Sequence, residues 1–260
     1  MVNTVSYRSG RWLSYTECGN PKGFPILMQH GMIASINDSD LFGHLIAVGA
    51  RVISIARPGY GKSSPYEMKD VAEWGEIVSI LANDLHLSQF DVFGISSGAP
   101  YSYSISYRLE SKTRNVFILS GTPALFDNGV VKHWPYPIKR NADISELQAL
   151  ARGLFFSNVL ESDLLKNDIR DSMMNDCFGI ALDLRLRCME WGFPLSEVKA
   201  RVHMRHSKKD NQVPFVTAEL TSKMLPNCRM DVKEHGEHFS REVLDDFVDT
   251  VIAGYYTGAA

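Results

Sequence analysis

One stretch constrains the fold more than any other. Residues 90–109 read Phe-Asp-Val-Phe-Gly-Ile-Ser-Ser-Gly-Ala-Pro-Tyr-Ser-Tyr-Ser-Ile-Ser-Tyr-Arg-Leu. A short apolar run suited to a buried strand leads into Gly94-Ile95-Ser96-Ser97-Gly98, and a helical pattern follows, with Tyr101, Ile105 and Leu109 on one stripe. Pro100 falls in the first turn of that helix, where a missing N–H costs nothing. A turn this sharp between strand and helix has the form of a nucleophile elbow, with Ser96 at its apex. It forces the serine into a strained backbone conformation and leaves room only for glycine two residues to either side. The free N–H groups and positive dipole end of the helix then face the serine.

An isolated serine hydroxyl is a poor nucleophile; it needs a base and a group that orients the base. Asp210 follows the apolar run Val202–Arg205, in a loop leaving a strand's C-terminal end, where α/β sheets bind ligands. His238 lies just before the last helix, in Gly236-Glu237-His238-Phe239-Ser240. A histidine there can reach both Ser96 and Asp210, and His235 is its competitor. His30-Gly31 ends the run Ile26–Gln29, and that glycine lets the backbone approach the site. The N–H groups of Met32 and Ser97 could then serve as paired donors to an oxyanion. Arg57-Pro58-Gly59-Tyr60-Gly61-Lys62-Ser63-Ser64 reads as a rigid structural turn at the site's rim, with neither Arg57 nor Ser63 catalytic.

The surrounding pattern is strand–helix alternation. Apolar runs at 26–29, 52–56, 90–93, 116–119 and 202–205 have the character of buried parallel strands, preceded by a hairpin around Arg8-Ser9-Gly10-Arg11. Asp70 and Glu73 have capping-box spacing ahead of Trp74, Ile77, Val78, Leu81 and Leu85. Ser240 could cap a last helix with Val243, Leu244, Phe247, Val248, Val251 and Ile252 on its buried face. This predicts an α/β fold: a mostly parallel central sheet with helices on both faces. Residues 123–196 carry no strand pattern, are rich in aromatics, and read as helix around Ile144 to Met174. They are expected to form an inserted helical cap on a core made of residues 1–122 and 197–260, with most of the aromatics packing the cap onto that core.

At 260 residues the chain can bury a sizeable core. A net charge of −3 gives no electrostatic reason to expect nucleic acid or an anionic membrane as partner. The N-terminus lacks an apolar signal core, and no run approaches the length of a membrane span. Cys18, Cys177, Cys188 and Cys228 are scattered and fit neither a disulfide framework nor a zinc site, so reduced thiols in a cytoplasmic protein are expected.

Taken together, His30-Gly31-Met32, the Arg57–Ser63 turn, Gly94-Ile95-Ser96-Ser97-Gly98-Ala99-Pro100-Tyr101, Asp210 before Val213-Pro214, and Gly236-Glu237-His238 closely resemble the α/β-hydrolase superfamily over essentially the full chain. The resemblance implies a Ser96 nucleophile, a His238 base, an Asp210 orienting acid and an oxyanion hole from the Met32 and Ser97 N–H groups. His30, Gly31, Gly94 and Gly98 support the elbow and loop. It implies a small-molecule substrate and no metal or organic cofactor. Serine at the elbow, rather than aspartate, argues against the haloalkane dehalogenase and epoxide hydrolase branches. The expected activity is cleavage of a small or medium, partly apolar carboxylic ester through an acyl-enzyme. Thioester, lactone, amide or carbon–carbon hydrolysis by the same groups is the alternative, and a ligand receptor or signalling protein with slow turnover is the alternative of another class.

Overall fold

The computed structural model describes residues 1–256. Gly10, at φ +67°, closes the tight turn between β1 (Val2–Arg8) and β2 (Arg11–Gly19), which pair antiparallel. β2 then runs antiparallel to β4 (Arg51–Ile55). From β4 onward the sheet is parallel, in the order β4, β3 (Pro25–Gln29), β5 (Phe90–Ile95), β6 (Thr113–Leu119), β7 (Arg201–Ser207) and β8 (Cys228–Lys233). The expected mostly parallel sheet is present.

Strand alternation divides the core between the two faces. Leu27, Ile53, Val92, Ile118 and Met204 pack on one side against α2 (Ala72–Asp84) and α3 (Ala99–Arg108). Ile26, Met28, Phe93, Phe117 and Leu119 pack on the other against α1 (Gly43–Ala47) and α8 (Arg241–Phe247). β5 is buried along its whole length, and its one charged residue is fully satisfied. Asp91 accepts from the backbone and side chain of Asn115 and pairs with Arg114.

The helix ends depart from expectation in detail. Asp70 Oδ1 does accept from the Glu73 N–H at 3.1 Å, but Glu73 bonds to Lys69 N–H, Tyr66 and Arg8 instead of reaching back to Asp70. Ser240 caps α8 through Val243 N–H, a contact of a kind that contributes about 1 kcal/mol. α8 ends at Phe247, and the chain continues as a wider turn at Val248–Ile252 that keeps Val248 and Ile252 buried.

Between β6 and β7 the chain makes only helices and turns. These are α4 (Asn128–Val131), α5 (Ile144–Phe155), a tight turn at Glu161–Leu165 and α6 (Asn167–Leu186). The helical pattern around 144–174 is therefore two elements, split after Phe155. α6 is itself broken where Asn175, Asp176 and Cys177 all take positive φ, at +52°, +59° and +60°. Asp143 and Glu146 form a complete capping box at the start of α5. Trp191 stacks on Tyr103 of α3, and Phe193 stacks on Tyr107, which packs the end of this segment onto the core. α7 (Phe215–Ser222) follows β7. Among the described residues no helix is long and apolar enough to cross a membrane.

Candidate active site

β5 ends at Ile95, and α3 begins at Ala99 after a single tight turn, Ser96–Gly98. The chain can reverse so abruptly because Ser96 adopts φ +50°, a left-handed conformation that side chains rarely take without compensation. A Cβ on Gly94 would collide with the Ser102 hydroxyl, and one on Gly98 with the Gln29 carbonyl. Both positions therefore need glycine, and β3 comes directly against the turn.

Two loops deliver polar groups to Ser96. Behind β7, Asp210 accepts from the N–H groups of Gln212 and Val213, both at 2.8 Å, through Oδ1. Its Oδ2 lies 2.8 Å from His238 Nδ1, and His238 Nε2 lies 2.9 Å from Ser96 Oγ. Both Asp210 and His238 are buried, whereas Ser96 is partly exposed. Burial would raise the Asp210 carboxyl, but its hydrogen bond to His238, electrostatic attraction to that ring and the two N–H donors outweigh it and hold the group below the usual range. A carboxylate at Nδ1 fixes the tautomer, so Nε2 offers its lone pair to the serine. His235, the competing histidine, is exposed and lies outside this chain of bonds.

His206 is an unexpected neighbour. Its Nε2 donates to the Val213 carbonyl at 2.9 Å and comes within 3.4 Å of Asp210 Oδ2. Burial lowers its proton affinity, so it stays neutral beneath the aspartate.

The His30–Met32 loop is held by residues that the sequence suggested were mere turn formers. Arg57 Nη1 donates to the His30 carbonyl at 2.6 Å, and Nη2 to the Gly31 carbonyl at 2.9 Å. His30 Nδ1 also bonds to the Gly31 carbonyl, and Tyr60 Oη donates to the Met32 carbonyl at 2.9 Å. Three successive carbonyls are thus fixed. The Gly31 C=O and the Met32 N–H belong to one planar trans peptide and point in opposite directions. Holding the carbonyl on Arg57 therefore turns the Met32 N–H away from that guanidinium. Gly31 lies beside the serine, since a Cβ on it would come within 3.8 Å of Ser96 Cβ. Ser97 lies in the turn into α3, where helix-type N–H groups have no intrahelical acceptor.

Arg57 is itself anchored from α6. Asp183 Oδ1 accepts from Arg57 Nε at 3.1 Å and Tyr101 Oη at 2.6 Å; Oδ2 accepts from Arg57 Nη2 at 2.6 Å and lies 2.9 Å from Tyr60 Oη, whose single proton it shares with the Met32 carbonyl. The pair is almost solvent-free, with side chains 1% and 3% exposed. Burial opposes the charge on Arg57, but Asp183 overrides it and keeps the guanidinium protonated. Burial and the same carboxylate push the Tyr60 and Tyr101 hydroxyls well above their ordinary range, so both remain donors. His30 is driven the other way. Burial and the Arg57 charge hold it well below an ordinary histidine, and the neutral ring donates from Nδ1.

No family model matches the chain. Among curated proteins it is 26% identical over 146 residues to an uncharacterized hydrolase of Bacillus subtilis, YcgS, covering 56% of this chain and 48% of that one. It is 31% identical over 99 residues to the dihydrolipoyllysine-residue acetyltransferase component of the acetoin cleaving system of Pseudomonas putida, covering 37% and 26%. The chain thus spans less than half the length of the curated relatives it matches. Solved structures match end to end at low identity. An esterase from Exiguobacterium antarcticum superposes with a TM-score of 0.78 at 19% identity, covering 99% of this chain and 100% of that one. A bromoperoxidase from Bacillus anthracis gives 0.70 at 17%, covering 98% and 100%. An enol-lactonase from Burkholderia xenovorans gives 0.67 at 15%, covering 96% and 98%. An α/β-hydrolase-fold protein from Chitinophaga pinensis also matches over the whole chain, with a TM-score of 0.68. The chain has the α/β-hydrolase fold.

Proposed function

We propose that this protein is a serine hydrolase that cleaves a carboxylic ester through an acyl-enzyme on Ser96. One observation carries the reading: the two hydrogen bonds, 2.9 and 2.8 Å, that run from Ser96 Oγ through His238 to Asp210. Ser96 Oγ attacks the ester carbonyl while His238 Nε2 takes its proton. The carbonyl oxygen becomes an oxyanion and is met by the N–H groups of Met32 and Ser97. As the intermediate collapses, the C–O bond to the alcohol breaks and Nε2 gives the proton to the departing oxygen. Water then repeats the sequence and frees the acid. Asp210 stays ionised throughout; it orients the ring and stabilises the imidazolium.

In this reading residues 123–196 are a cap that bounds the substrate pocket. Arg57 acts as a positioning residue, since it fixes the peptide whose far side is the Met32 N–H. Like the esterase and enol-lactonase it superposes on, the chain would take a small-molecule substrate. Four free cysteines, two of them buried, favour a reducing compartment such as the cytoplasm.

The test is a panel of short-chain esters, thioesters and lactones assayed with the wild type and Ser96→Ala. Multiple-turnover ester cleavage that disappears in the variant supports the reading. Retained cleavage in a folded Ser96→Ala protein overturns it. Thioester or lactone turnover above ester turnover would keep the serine and change the bond.

A further inference from the structure

His206 lies one residue before the end of β7, fully shielded from solvent, and the mechanism above leaves it unused. Its Nε2 donates to the Val213 carbonyl at 2.9 Å, so the proton sits on Nε2 and Nδ1 carries a lone pair. That Nδ1 is buried without a hydrogen-bond partner among the described residues. Leaving a buried polar atom unpaired costs stability, and the compensation lies on the ring's other edge.

His206 Nε2 also lies 3.4 Å from Asp210 Oδ2, the oxygen that sits 2.8 Å from His238 Nδ1. At that distance the contact is an N–H dipole facing a carboxylate, weaker than a full hydrogen bond. Val213, whose carbonyl His206 holds, donates its own N–H to Asp210 Oδ1 at 2.8 Å. One ring therefore acts on Asp210 twice, through the loop that grips Oδ1 and directly at Oδ2. The titratable groups that face the ring are Asp210 from its own loop and His238 from the loop before α8. β8 brings Val232 into register with it, and α7 brings the Phe215 ring. Arg205, the preceding residue, is engaged elsewhere, with Asp231 and Asp246. Burial keeps His206 neutral; His238 acts in the same direction, and Val213 and Asp210 oppose it.

Building on the ester-hydrolase reading, we propose that His206 is a positioning residue: its ring, with the proton on Nε2, locks the Val213 loop around Asp210 and shares Oδ2 with His238. It touches neither the substrate nor the reacting atoms. A shared oxygen has less charge left for His238, so it stabilises the imidazolium less than an undivided carboxylate would. Activity then persists to lower pH than it would without His206.

The test compares the pH profile of kcat/KM for a short-chain ester in the wild type, His206→Leu, His206→Gln and Phe215→Leu. His206→Leu should lower kcat roughly tenfold with little change in KM, as a displaced catalytic group would. It should also move the acid limb up by about half a pH unit, the equivalent of a weak hydrogen bond. His206→Gln can place an amide N–H near the position of Nε2 and should restore most of both. Phe215→Leu trims the ring beside His206, 6.3 Å away between centroids, and should lower stability while leaving the acid limb in place. An acid limb that stays put in folded His206→Leu, or moves as far in Phe215→Leu, would overturn the proposal.

NMR of Ser96→Ala with isotope-labelled histidines separates this from the hydrolase reading, because it needs no turnover. At neutral pH His206 should be uncharged with its proton on Nε2, and the His238 Nδ1 proton should give a downfield resonance. Adding His206→Leu should shift that resonance, and His206→Gln should return it. The expected tautomer and shift support the positioning role even if no ester is cleaved. A proton on His206 Nδ1, or an imidazolium there, overturns it even if esters are cleaved, and that observation requires no change at position 206.

Discussion

Two carboxylates are buried at the top of this sheet, and they face different partners. Asp210 sits on the loop behind β7, and Asp183 on α6 in the helical segment between β6 and β7. Each is satisfied through both oxygens. Asp210 faces two N–H groups and a histidine; Asp183 faces an arginine and two tyrosine hydroxyls. The difference lies in the partner. An imidazole gains and loses a proton near neutral pH, so a carboxylate behind it can support proton transfer. A guanidinium does not deprotonate in a protein, so a carboxylate behind it can only fix geometry. In the proposed mechanism one acid therefore belongs to the chemistry, and the other to the shape of the loop beside Ser96.

The sharpest way to break this contrast is to neutralise each acid in turn. Asp210→Asn should fold normally and lose about 10⁴ in kcat, because the ring is held in the wrong tautomer. Steady-state kinetics with circular dichroism would check both halves. Asp183→Asn should do the reverse, since it strands the buried Arg57 charge. Breaking such a pair costs about 3–5 kcal/mol, a melting temperature lower by roughly 10 °C in a chain this size. A stable Asp183→Asn protein that has lost activity as completely as Asp210→Asn would erase the distinction. Tyr60→Phe refines it, since it deletes one hydroxyl that touches both Asp183 and the Met32 carbonyl. A loss of about 1 kcal/mol in stability is expected, with a several-fold drop in kcat and little change in KM. An unchanged kcat would detach the oxyanion loop from this network.

The smallest expected effect is a pH slope. His30 binds protons less readily when folded than when unfolded, because burial and Arg57 disfavour its charge. Its contribution is complete above the unfolded value of 6.5 and is lost as pH falls through that value toward the depressed folded one. Asp210 has the same sign but a lower window, below its ordinary 3.8. Melting temperature should therefore fall as pH drops below 6.5, and His30→Gln should flatten that slope. An equal slope in the variant would remove His30 as the cause.

The core's order of elements was legible because its signals are local. Gly94, Ser96 and Gly98 announce a turn that only glycine permits, and the apolar runs of β3 to β7 mark buried strands. β8 carries a weaker signal: Cys228-Arg229-Met230-Asp231-Val232-Lys233 alternates three apolar with three charged residues, the pattern of a half-buried edge strand and not a continuous apolar run. Arg57 read as a turn residue because its partner, Asp183, lies 126 residues further on. Nothing in Asp183-Leu184-Arg185-Leu186-Arg187 reveals which charges turn inward. The break in α6 is hard to read for a different reason: Asn175 and Asp176 tolerate the left-handed region, but no glycine or proline marks the three residues that adopt it.

The central claim is that the His238–Asp210 pair activates Ser96 and that Asp183 only holds the scaffold. Intact-mass analysis after treatment with a fluorophosphonate tests it most directly, on the wild type, Ser96→Ala, Asp210→Asn and Asp183→Asn. The account predicts a single adduct on the wild type, none on Ser96→Ala, very slow labelling of Asp210→Asn and much faster labelling of folded Asp183→Asn. An adduct that survives in Ser96→Ala, or a folded wild type that takes none, would contradict it.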